Sequence, residues 1–181
     1  MQNGKWVLAY TAAATPAATI RSLLASSYAN ATTPGVMDSG QLRSTTATAA
    51  RGLGYSDNGT AVTVMATLYG DADLDGGVSI NDFNVLAANF GQSSGQVWIS
   101  GDFDYDGGVS INDFNLLAGN FGQSLTAAGV RPDYTGLLAF AAAHDDLVAF
   151  EAITGVPEPT TLGLLAAGAM LGLRRRRSAT A

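Results

Sequence analysis

Residues 71–93 read DADLDGGVSINDFNVLAANFGQS, and residues 102–124 read DFDYDGGVSINDFNLLAGNFGQS. Nineteen of the 23 positions match at an offset of 31 residues, so one small unit is used twice. Two of the four differences are conservative, Val85/Leu116 and Ala88/Gly119. The other two, Ala72/Phe103 and Leu74/Tyr105, exchange small or aliphatic side chains for aromatic ones. Gly70 and Gly101 stand immediately before the units.

Each unit opens with aspartates at alternate positions: Asp71, Asp73 and Asp75, then Asp102, Asp104 and Asp106. Gly76 and Gly107 follow, and Asp82 and Asp113 close twelve-residue segments. This is the EF-hand loop spacing, with Asp in place of the usual Glu at position twelve. Ca²⁺ is a hard cation that takes six to eight oxygens, and a tightly curled loop aims alternate side chains inward. The expected ligands are therefore Asp71, Asp73, Asp75, Gly77 through its carbonyl, Ser79 through water, and Asp82. Asp102, Asp104, Asp106, Gly108, Ser110 and Asp113 repeat the set. Carboxylates gathered within ~5 Å repel by roughly 3 kcal/mol per pair at an effective dielectric near 20. A divalent cation reverses that sign, so two Ca²⁺ ions are the expected cofactors, with poorly ordered loops in their absence.

The same residues satisfy a second pattern. Ser79-x-x-Asp82 and Ser110-x-x-Asp113 have the spacing of helix capping boxes. After each comes an amphipathic stretch: Phe83, Leu86, Ala87 and Phe90 fall at i, i+3, i+4 and i+7, as do Phe114, Leu117, Ala118 and Phe121. Gly91 and Gly122 stand where helix C-caps are expected. One such helix cannot bury its apolar face alone, so the two should pack face to face. Val78 and Val109 are the expected bridge between the loops.

Two calcium loops, each followed by a helix and lacking a clear helix before it, resemble the type I dockerin repeat. The resemblance covers residues 70–124. It implies a small helical module with pseudo-twofold symmetry that binds Ca²⁺ and plugs into a cohesin-like partner. It also makes loop positions ten and eleven the partner-contacting pairs, here Ile80–Asn81 and Ile111–Asn112, which differ from the hydroxyl-rich pairs of cellulosomal members.

The C-terminus carries a second resemblance. Val156-Pro157-Glu158-Pro159 precedes fourteen uncharged, mostly apolar residues, Thr160 to Leu173, and then Arg174–Arg177. This order resembles the PEP-CTERM sorting signal, which implies processing by an exosortase-type enzyme and a destination at the surface or matrix of a Gram-negative-type bacterium. A fourteen-residue helix spans roughly 21 Å, short of the ~30 Å hydrocarbon core. The arginines would stay on the cytoplasmic side. A transient membrane contact through this short hydrophobic helix fits that length better than a lasting anchor. Residues 1–14 lack a leader layout, so the expectation is the tail of a longer precursor or a truncated gene model.

Composition excludes several classes. The chain has no cysteine, which removes disulfides, thiolate metal sites and cysteine nucleophiles. Its formal charge is −6, and without residues 156–181 five bases face fourteen acids, a net −9. Nucleic acid, which needs a basic footprint, is not an expected partner. His144 is the single histidine and has no companion nucleophile, so it reads as an exposed helix residue and no catalytic residue is expected.

The remaining segments place the repeats in a mixed fold: a β-rich α+β segment over 1–69, the helical calcium module over 70–124, a helix and linker over 125–155, and the sorting tail over 156–181. Within the first, Lys5–Thr11 and Ala61–Tyr69 alternate as strands. Thr15 and Pro16 begin a helix through Ile20, Leu23, Leu24 and Tyr28. Residues 134–152 suggest a further helix. The leading expectation is a non-catalytic attachment module of an exported protein. Its competitors are the C-terminal part of a secreted polysaccharide-active enzyme and a calcium clasp with no external partner.

Overall fold

A computed structural model describes residues 5–11, 15–31, 35–46 and 48–125, together with Leu137, Ala139, Phe140 and Ala143. The class is mixed, with three helices and one three-stranded sheet among the described residues. Strands β1 (Lys5–Ala9), β2 (Arg51–Asp57) and β3 (Ala61–Leu68) pair antiparallel in the order β1-β3-β2. Helix α1 (Ala17–Ala29) follows β1; α2 (Ile80–Asn89) and α3 (Ile111–Ala118) belong to the repeats.

The expected strands and first helix form where the patterns put them. β3 alternates buried and half-buried residues before becoming fully buried at its end. α1 begins after Pro16, where the Thr15 hydroxyl accepts the Ala17 N–H at 3.1 Å. It buries Ile20, Leu24 and Ser27.

β2 was not expected, because its RGLGYSD sequence has two glycines and little β propensity. The packing explains them. A Cβ on Gly52 would lie 2.6 Å from the Tyr69 ring, and one on Gly54 would lie 2.5 Å from Leu74 and 2.8 Å from the Trp98 indole. The strand is smooth on that face because large side chains lie flat against it. The turn into β3 uses Gly59 at φ +86°, the positive value that tight hairpins require.

Packing is continuous across residue 70. Ile20, Leu24, Leu53, Tyr55, Val62 and Val64 share one core with Val78, Leu86, Trp98, Phe103, Phe114 and Leu117. Trp98, fully buried in a short 3₁₀ turn (Trp98–Ser100), lies at its centre. Its ring centroid is 5.1 Å from Phe103, 5.6 Å from Tyr105 and 5.9 Å from Tyr69. The Tyr105 hydroxyl accepts the Leu53 N–H at 3.2 Å and lies 3.1 Å from the Leu53 carbonyl, to which it donates, so it sews β2 to the second loop.

The two repeats do pack against each other, with Phe83 and Phe114 edge to face at 6.5 Å. Their loops are joined differently from expectation. Val78 does not bridge Val109. The Val78 N–H donates to the Gln123 carbonyl at 2.9 Å and its carbonyl accepts from Gly122 at 2.7 Å. Val109 makes the same pair of bonds with Gln92 and Gly91, at 2.8 and 2.9 Å. Each loop thus binds the exit of the other repeat's helix, which is how pseudo-twofold related units satisfy backbone groups that neither could satisfy alone.

The helix ends also differ in part. Gly91 (φ +85°) lies just past α2, as expected of a left-handed cap. α3 ends a turn before Gly122: Gly119 is its C-cap, and Asn120, Phe121 and Gln123 donate in tight i→i−3 turns. Asn120 is the reason. Its amide donates to the carbonyls of Ala50, Tyr69 and Leu116 at 3.2, 2.9 and 3.2 Å, tying the turn to the sheet.

Of the expected helix over 134–152, the four described residues are helical. Leu137 is buried, and Phe140 packs on Phe83, Phe90 and Phe114 with centroids at 5.5, 4.7 and 5.0 Å. His144 and the 156–181 tail lie outside the described residues.

Candidate metal centre

The twelve-residue loops follow one backbone path. Leu74 and Tyr105, both at position four, take φ +63°, and Gly76 and Gly107 at position six take φ +92° and +95°. Left-handed non-glycine residues are uncommon and mark a backbone held by its surroundings. What holds it is the aspartates. Asp71 accepts the N–H groups of Asp75 and Gly76 at 3.1 and 3.0 Å, and the Thr67 hydroxyl. Asp102 accepts the Gly107 N–H at 3.1 Å. At positions three and five the pattern repeats in both loops: Asp73 and Asp104 receive the N–H two residues on at 3.1 Å, and Asp75 and Asp106 receive theirs at 2.8 and 2.7 Å.

Position twelve works in two directions. One Asp82 oxygen accepts from Ala72 and Asp73 at 2.8 and 3.3 Å, closing the loop onto its own start. The other accepts from the Ser79 backbone and hydroxyl at 2.8 and 3.1 Å. Asp113 does the same with Phe103, Asp104 and Ser110. Both capping boxes are complete, and the Ser79 and Ser110 hydroxyls accept from Asn81 and Asn112. These two serines are engaged as helix caps here.

Carboxylate oxygens of Asp71, Asp73 and Asp82 come within 4.8 Å of one another, as do those of Asp102, Asp104 and Asp106. Asp71, Asp82, Asp102 and Asp113 are buried. Burial pushes Asp71 and Asp102 up to about 6, and burial followed by the Asp104 charge pushes Asp113 up to about 7. Asp82 and Asp104 are raised for the same first reason. Buried carboxylates crowded in this way call for a counter-charge.

One atom tests whether the sites fit a cation. Asp102 is 1% exposed, and its Oδ1 has no hydrogen-bond partner while Oδ2 is fully engaged. A buried, unpaired carboxylate oxygen on a residue clustered with other carboxylates is what a hard cation would satisfy, and the donor set is the oxygen-only set calcium prefers. Gly77 and Gly108 sit where position seven requires; Gly77 also bridges Ser124. Of the expected partner-contacting pairs, Ile80 is 48% exposed, Asn81 and Asn112 are exposed, and Ile111 is half-buried.

Sequence reasoning missed Arg21, Trp98 and Asn120. The Trp98 Nε1–H donates to the Asp71 carbonyl at 2.7 Å and so fixes the start of the first loop. Arg21 reaches Asp102 Oδ2 at 3.3 Å and the Tyr105 carbonyl at 3.1 Å. Its one available signal is that it is the sole charged residue in the helix AATIRSLLASSYA.

Residues 155–177 match the family model of the PEP-CTERM protein-sorting motif. That span takes in Val156–Pro159, the apolar stretch and the arginine run, and it does not reach the repeats. The motif points to an exported protein, processed by an exosortase-type enzyme and sorted at the envelope of a Gram-negative bacterium. No curated protein and no solved structure matches the chain. Among the described residues no helix is long and apolar enough to cross a membrane.

Proposed function

We propose that residues 70–124 are a dockerin-like, non-catalytic module that binds two Ca²⁺ ions and serves attachment of an exported bacterial protein. The observation that carries this is the paired loops: two identical sets of aspartates on one unusual backbone path, with an Asp102 oxygen buried and unpaired in one of them. In that role Asp71, Asp73, Asp75 and Asp82, and their counterparts Asp102, Asp104, Asp106 and Asp113, supply carboxylates. Gly77 and Gly108 supply carbonyls. Calcium would supply the positive charge that lets these groups ionise while buried. The exposed outer face at Ile80, Asn81 and Asn112 is offered to a cohesin-like partner. Calorimetric titration of the whole chain should give a calcium stoichiometry near two, and zero stoichiometry at millimolar calcium would refute the module.

A second reading, a calcium clasp with no external partner, draws support from the contacts of Trp98 and Tyr105, which weld the loops to the sheet. Capture of host envelope proteins by the calcium-loaded chain, lost on chelation, separates attachment from clasp.

The tail is proposed to be removed near Val156–Pro159, releasing the body or transferring it to the surface. Proline resists helix formation, so Pro157 and Pro159 suit a site open to a processing enzyme, with the short apolar segment following it. Intact mass of the surface-associated protein from its native host should lack Arg174–Arg177. Recovery of a product still carrying them, in cells with a working sorting enzyme, would identify a lasting anchor.

A further inference from the structure

The two loops carry the same ligands on the same backbone, yet different groups stand behind their first aspartates. Behind Asp71 is a neutral donor, the Thr67 hydroxyl. Behind Asp102 is the Arg21 guanidinium, 3.3 Å from Oδ2 and 3.1 Å from the Tyr105 carbonyl. The guanidinium also lies against the loop's tight turn: a Cβ on Gly107 would sit 2.6 Å from Nη2. At the matching Gly76 the nearest atom is an apolar one, Leu125 Cβ at 4.0 Å. A permanent cation from α1 thus already stands against Asp102 and the tight turn of the second loop.

We propose that Arg21 ranks the two calcium sites, making the first loop the tighter and the second a weaker site that fills last; this rests on the calcium-binding role proposed above. The mechanism is charge alone. Arg21 shares Asp102 with the incoming ion, draws electron density from its carboxylate, and repels a dication bound on the opposite oxygen. Without metal it already relieves part of the carboxylate repulsion in the second loop, so that loop gains less from calcium. A divalent ion and a unit charge one carboxylate apart, partly open to water, differ in affinity from an uncharged surround by about tenfold. Arg21 is 30% exposed, which keeps the effect at that modest size.

Single-site chains read this directly. Asp73→Asn leaves the second loop to be titrated, and Asp104→Asn leaves the first. Calorimetry on the full-length protein should give the first loop a Kd about tenfold lower. Adding Arg21→Gln to the Asp73→Asn chain should close most of that gap, whereas Arg21→Lys, which keeps the charge, should preserve it. Arg21→Gln in the Asp104→Asn chain should leave the first loop unchanged. Equal affinities in the two single-site chains, or an Arg21→Gln effect of equal size on both loops, would overturn the ranking while leaving calcium binding intact. Absence of binding to the natural chain would overturn the calcium role and the ranking with it. Should the Arg21→Gln chains fail to fold by circular dichroism, the comparison of the two single-site chains still decides the matter.

Discussion

Replacing Asp71 or Asp102 by alanine is expected to remove one of two bound calcium ions and about 3 kcal/mol of stability in the calcium-loaded chain. The Asp71 carboxylate holds the N–H groups of Asp75 and Gly76 and the Thr67 hydroxyl. Alanine leaves the buried Gly76 N–H with no acceptor, and an orphaned buried donor costs about 1–3 kcal/mol. At Asp102 the change also strips Arg21 of its carboxylate, leaving a half-buried guanidinium that keeps the Tyr105 carbonyl but has lost its counter-charge. Because each loop is bonded to the exit of the other repeat's helix, damage to one should loosen both. Helical circular dichroism against calcium concentration should show a single shallow transition in either variant. A variant that retained the parent curve would show that its loop is not a metal site.

Trp98→Ala is expected to cost about 3–5 kcal/mol, the range for emptying a fully buried aromatic site. That approaches the ~5–15 kcal/mol that holds a whole domain together. The indole fills the space between Tyr69, Phe103 and Tyr105, and its N–H satisfies the Asp71 carbonyl. Trp98→Phe should recover most of the packing but not the hydrogen bond. Urea denaturation at saturating calcium would measure both, with the alanine chain's midpoint far below the natural one. An unchanged midpoint would mean that sheet and repeats do not share the core described above.

The parts legible in the sequence are those specified locally. Ser79 and Asp82, and Ser110 and Asp113, set both helix starts through contacts within three residues, and the structure forms both boxes. The alternation of Ala61–Leu68 suffices to identify a strand with one covered face. What escaped was set at a distance. Gly52 and Gly54 look like breakers until Tyr69 and Trp98 are seen lying across them. Repeat symmetry suggests Val109 as the partner of Val78, and nothing in the local pattern points to Gln123 instead. Arg21 is 81 residues from the aspartate it pairs with, and nothing in its local pattern names that target.

The crossed bonding of Val78 to Gly122 and Gln123, and of Val109 to Gly91 and Gln92, makes the repeat incomplete as a unit. Half of the module is not a smaller version of it, because a solitary repeat ends with an open edge on both its loop and its helix exit. The two halves close on each other in the same way and meet the sheet in different ways: Leu74 lies against Gly54 by packing alone, whereas Tyr105, at the same place on its loop, also bonds Leu53 through its hydroxyl.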